Sequence, residues 1–207
     1  MKYKKILSLT IIMAMLLSFS SIAIADYVID RSNGIITPDY TIQGTIYPVT
    51  PIQANGIDDR DIKRAIRYLD FDFDEDFTVH VVDYYFNMSS AFGVAFPETN
   101  TIILFDFLPS RVKYTTQMTV VHEIGHLVYE RMSDWHKAKY KKIRGIPLEW
   151  DDTVYTEYQN RPQEIFAEDF RILFGGKDAT IYIHGNEELI PATEVRGLER
   201  FIRIFED

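Results

Sequence analysis

His122-Glu123-Ile124-Gly125-His126 sits inside an apolar run, Met118-Thr119-Val120-Val121 before it and Leu127-Val128-Tyr129 after it. A run of this composition predicts a helix, and residues four apart on a helix share a face. His122 and His126 then stand side by side and can bind one metal ion. Glu123 lies beside the first of them, within reach of a water at that ion. An imidazole pair with an adjacent carboxylate points to metal-assisted hydrolysis, and the spacing is the H-E-x-x-H pattern.

Two imidazoles do not complete such a centre. A catalytic zinc takes three protein ligands and leaves one position open. In the H-E-x-x-H-x-x-G-x-x-H arrangement the glycine and third histidine would fall at positions 129 and 132. Those positions hold Tyr129 and Met132, so that arrangement is excluded. The alternative is a glutamate from a downstream helix, and Glu164 begins a suitable run, Glu164-Ile165-Phe166-Ala167-Glu168-Asp169-Phe170-Arg171. Glu164 and Glu168 are also four apart. If Glu164 binds zinc, Glu168 lies one turn deeper and can accept a hydrogen bond from a ligand histidine, fixing its tautomer. Gly125 and Ala167 are small enough to let the two helices approach closely.

The pair of runs, His122 to His126 and Tyr158 to Arg171, resembles the catalytic domain of anthrax lethal factor and its relatives, which include small secreted Pro-Pro endopeptidases. The resemblance covers roughly residues 77–175. It implies a zincin-like metallopeptidase in which His122, His126 and Glu164 hold Zn2+ and Glu123 is the general base. Glu168 is then a supporting residue. It also implies a tyrosine before the second run that faces the metal and donates to the developing oxyanion. Tyr158 is the nearest match. It stands one residue closer to the ligand than in the family pattern, which leaves Tyr155 as the alternative. The implied substrate is a protein or peptide, and the relatives favour sites near proline.

Bulk properties agree with a folded enzyme domain. The chain has 207 residues, 46% hydrophobic and 26% charged, which is globular rather than disordered. A formal net charge of -9 disfavours nucleic acid and anionic membrane as partners. Without cysteine, neither disulfides nor thiolate-held metal can contribute. Lys2, Lys4 and Lys5, the apolar stretch Ile6 to Phe19 and Ala23-Ile24-Ala25 read as a Sec signal peptide over residues 1–25, cleaved after Ala25. The expected product is an acidic secreted protein with no stable membrane association after cleavage.

The expected fold class is α+β, with a small mixed sheet packed on the active-site helix beside a second, glutamate-bearing helix. Residues 26–56 alternate apolar and polar positions and read as an extended segment or arm; residues 57–207 read as the metallopeptidase domain. Asp58 is placed to cap a helix through Leu69. Phe77 to Tyr84, Phe92 to Phe96 and Thr101 to Phe105 read as strands, the last two joined by a turn at Pro97 to Asn100. The motif helix runs from about Thr115 to Met132, and another helix spans Trp135 to Ile143. Asn160 and Gln163 offer a reciprocal cap for a helix through Phe174, with Pro162 in its first turn. A last helix covers Glu194 to Phe205. Phe92 to Phe105 offers a sheet edge on which a peptide could add as a strand. Two other functions fit the same residues. One is a zinc-binding but non-hydrolytic secreted adhesion or toxin-partner module; the other is an enzyme restrained by the 26–56 arm.

Overall fold

The computed structural model describes residues 27–30, 57–73, 76–82, 92–105, 115–181 and 188–206. The expected signal peptide and most of the expected 26–56 arm lie outside them. So does the end of the expected strand at Asp83 and Tyr84. In chain order the elements are β1 (Tyr27–Asp30), α1 (Asp59–Arg67), β2 (Phe77–Val82), β3 (Gly93–Phe96), β4 (Thr101–Phe105), α2 (Thr115–Arg131), α3 (Asp134–Arg144), α4 (Pro162–Phe174), α5 (Gly176–Ala179) and α6 (Leu198–Ile202).

The strands form a four-stranded mixed sheet in the order β1-β2-β4-β3. β1 and β4 flank β2 in parallel, while β3 and β4 form an antiparallel hairpin. The hairpin closes through a 3-10 turn, Pro97–Thr99, with Asn100 left-handed at φ 47°. Ile102, Ile103 and Leu104 are fully buried in succession, so both faces of β4 are covered. β3 ends the sheet and has no second strand partner among the described residues.

α2 lies against this sheet and is buried on nearly every side through Val120, Val121, Ile124, Leu127, Val128 and Tyr129. A helix that is apolar almost all round belongs in a core, and polar residues within it require partners. α1 is capped as expected. The Asp58 carboxylate accepts from the Arg60 N–H at 2.8 Å, and Ile62, Ala65 and Ile66 face inward.

Two helix starts differ from the sequence reading. The N-cap position of α4 is Arg161, because Asn160 is taken up in a 3-10 turn, Tyr158–Asn160, that precedes it. The C-terminal helix begins only at Leu198. Gly197 adopts φ 83° there and separates α6 from a 3-10 turn at Ala192–Glu194. The apolar spacing runs on across Gly197, but its left-handed backbone interrupts the helix there. The observed class is α+β. Among the described residues no helix is long and apolar enough to cross a membrane.

Candidate metal centre

α2 and α4 meet backbone to backbone. A Cβ added at Gly125 would lie 2.8 Å from the Ala167 Cα and 3.2 Å from the Phe170 Cβ. That approach brings the carboxylate on the first turn of α4 to the two imidazoles on α2. The Nε2 atoms of His122 and His126 are 3.1 Å apart, and Glu164 Oε2 lies 3.3 Å from one and 3.5 Å from the other. Three donors placed 2.0–2.1 Å from a common tetrahedral centre would stand about 3.3 Å apart. The observed triangle matches those edges.

Two polar details also fit a cation. Glu164 Oε2 is buried without a hydrogen-bond partner. Its contacts with the imidazoles, at 3.3 and 3.5 Å, are long for hydrogen bonds and leave a lone pair unmet. His122 Nδ1 lies 2.8 Å from Glu168 Oε1. Donation of the Nδ1–H to that carboxylate leaves the His122 Nε2 lone pair facing the other two donors.

Charge is concentrated here. Burial works against a charged His122, but contacts with Glu164 and Glu168 prevail and raise its pKa to about 10. Burial would raise Glu164, yet the two imidazoles hold it well below the usual carboxylate range. Glu168 is likewise raised by burial and pulled down more strongly by His122 and Arg171, to about 2. The neutral tautomer that presents Nε2 would be reached when a metal ion displaces the extra proton from His122.

Glu123 is buried next to the pair, against β3. A Cβ at Gly93 would fall 3.1 Å from Glu123 Oε1 and 2.7 Å from Thr119 Cγ2, so only glycine lets the edge strand lie this close. Burial pushes the Glu123 pKa up, while His122, His126 and the backbone N–H of Ala95 pull against it. Phe105 N–H donates to the Phe92 carbonyl at 3.0 Å. With the hairpin register, that alternation turns the N–H and C=O groups of Gly93 and Ala95 away from β4, toward the side where Glu123 lies.

Tyr158 stands at the mouth of the site. It is 59% exposed, yet burial of its hydroxyl end and the charge and contact of Glu164 raise its pKa well above the usual phenol value. The Arg161 guanidinium lies 5.6 Å from the centre of its ring. Tyr155 is 94% exposed. Of the two tyrosines, it is Tyr158 that meets Glu164.

The structure therefore brings together His122, Glu123, His126, Tyr158, Glu164 and Glu168. Two supporting residues escaped the sequence reading. Asp152 accepts from the Tyr129 hydroxyl at 2.9 Å and from the Gln163 N–H at 2.8 Å. It thereby ties α2 to the first turn of α4 and supplies the negative charge that a helix start favours. Nothing in the local sequence marks an aspartate eleven positions upstream as that cap. Arg171 was visible as a basic residue three positions after Glu168, but its burial was not. No family model, curated protein or solved structure matches this chain.

Proposed function

We propose that the chain is a secreted zinc-dependent endopeptidase that hydrolyses peptide bonds in protein substrates. The observation that carries this reading is the triangle of His122, His126 and Glu164 donors, with tetrahedral spacing and the Glu123 carboxylate beside it. Two nitrogens and one carboxylate oxygen at such edges suit zinc, and three ligands leave a position open. The resemblance of both motif runs to the lethal factor-like catalytic domain supports the same assignment. The Lys2 to Ala25 pattern supports export.

Bound at these donors, zinc would supply Lewis acidity to the attacking water and to the scissile carbonyl. The chain's own residues account for the remainder. Glu123 is a carboxylate made more basic by burial, and it takes a proton from the attacking water and returns it to the leaving amine. Tyr158 keeps its proton at neutral pH and donates a hydrogen bond where the carbonyl oxygen becomes negative. Glu168 holds His122 in the tautomer that presents Nε2. The outward groups of Gly93 and the outward carbonyl of Ala95 give an extended peptide a backbone edge beside Glu123, which itself takes the Ala95 N–H, so the substrate lies along β3. A peptide strand bound there is held chiefly by its main chain, which suits an endopeptidase acting within a longer chain.

The test is digestion of a peptide library by purified residues 26–207, with and without a chelator, alongside Glu123→Gln. Chelation should stop cleavage and added zinc should restore it. Glu123→Gln should keep its zinc and lose about 10²–10⁴-fold in turnover. Cleavage that persists under chelation would remove zinc from the account. A wild-type protein that binds zinc and cleaves nothing in the library would favour the non-hydrolytic module.

A further inference from the structure

We propose that Arg171 is a positioning residue of the metal centre: its buried guanidinium holds Glu168 so that Glu168 orients the His122 ring toward His126 and Glu164. The proposal rests on the metal-centre reading and extends it by one residue, which lies behind Glu168.

Arg171 is 1% exposed, far more enclosed than an arginine on a helix surface would be. Its Nη2 donates to Glu168 Oε2 at 2.6 Å, and its Nε lies 3.2 and 3.3 Å from the two oxygens of the same carboxylate. This is the side-by-side contact that a planar guanidinium makes and an ammonium cannot. Nη1 donates to the backbone carbonyl of Ala179, the last residue of α5. The guanidinium is thus gripped from the far side by the main chain of another helix. It is a fixed strut rather than a flexible counter-charge.

The strut ends at the metal donors. Glu168 Oε1 faces both Arg171 Nε and His122 Nδ1. A glutamate one turn below a metal ligand has several rotamers, and only those that bring Oε1 to the imidazole support the ring. Arg171 selects among them. The arrangement is one-sided, since among the described residues no carboxylate accepts from Nδ1 of His126. The orientation of the imidazole pair therefore depends on the chain Ala179–Arg171–Glu168–His122. An ion pair three residues apart within one helix would contribute little on a surface. Here the guanidinium is buried and anchored on a second element, and the half-buried carboxylate is shared with a donor histidine.

The experiment compares Arg171→Gln, Arg171→Lys, Glu168→Gln and the double variant Arg171→Gln/Glu168→Gln in the full chain. Zinc affinity is read by chelator competition, and the His122 Nδ1–H signal by NMR in metal-free and zinc-loaded protein. Loss of such an outer partner typically weakens metal binding about 10–100-fold. Arg171→Gln and Glu168→Gln should each fall in that range, and the double variant should be no weaker than the worse single one. Arg171→Lys should lie between Arg171→Gln and wild type. The His122 Nδ1–H should exchange faster in Arg171→Gln than in wild type. If Arg171→Gln does not fold, Arg171→Lys combined with Glu168→Gln completes the same cycle. Additive losses, or a folded Arg171→Gln with wild-type affinity and an unchanged Nδ1–H signal, would overturn the proposal. If wild type binds no zinc, the metal reading fails, while the metal-free Nδ1–H comparison still decides whether Arg171 orients His122.

Discussion

Glu168 and Asp169 are adjacent carboxylates on one helix, and they do different work. Glu168 points to the α2 side, where His122 and Arg171 surround it and hold its pKa down to about 2. Asp169 points to the α3 side. There the Tyr140 hydroxyl and Arg144 Nε each donate to its Oδ2 at 2.7 Å. Burial outweighs those partners and pushes its pKa up to about 6. Asp169 receives both of its bonds inside the protein and fastens α4 to α3. On the other face Glu168 is satisfied, but one turn away Glu164 Oε2 is left with nothing to accept. On the Asp169 face the buried group left unmet is a donor, Arg144 Nη1, which repels a cation; on the Glu168 face it is an acceptor, Glu164 Oε2, which leaves room for one.

The sharpest break between the two faces should come from Glu164→Ala. It should abolish zinc binding and, with it, all turnover, while the metal-free protein keeps its fold; zinc content of the purified variant is the measurement. Full metal content in Glu164→Ala would reject Glu164 as the third ligand. Asp169→Ala should do the opposite. It strands the buried Arg144 and should cost about 3–5 kcal/mol of stability in denaturant unfolding. The surviving folded fraction should bind zinc with near wild-type affinity.

Gly125→Ala probes the seam itself. The added methyl meets the Ala167 backbone, and overpacking of this kind costs about 1–3 kcal/mol. Because the strain pries Glu164 from the imidazoles, zinc affinity should fall together with stability, whereas Asp169→Ala separates the two.

Acid titration of chelated protein should give the smallest effect. The Glu168 pKa is lowered, so its contribution is present above the ordinary value of 4.5 and is lost as pH falls toward about 2. The Asp169 pKa is raised, so its contribution is complete below 3.8 and is lost as pH rises through about 6. Glu168→Gln should flatten stability against pH in the lower window, and Asp169→Asn in the upper one. A single slope removed by both variants would mean that the two faces are one coupled network.

Much of this was legible from residue order. The i, i+4 spacing of His122 and His126, and of Glu164 and Glu168, fixes which side chains share a helix face, because helical periodicity is local. The small residues Gly125 and Ala167 marked where two helices can touch. The Asp58 cap and the Phe92 to Phe105 hairpin followed from turn and cap chemistry. The cap of α4 was not legible. Asn160 has the right side chain at a plausible place, but Asp152 reaches Gln163 from across a loop, and that contact exists only after α2 and α4 have docked.

What the sequence determined by itself was the donor inventory: two imidazoles with an adjacent carboxylate on one helix and a pair of carboxylates on another. Only the packed structure decided that Glu164 Oε2 comes within 3.5 Å of both imidazoles, that Gly93 brings the edge strand onto Glu123, and that Arg171 is buried behind Glu168. Those distances are set by how closely two helices and a strand approach. That closeness comes from missing side chains and from contacts between residues far apart in the chain, neither of which a local period can encode.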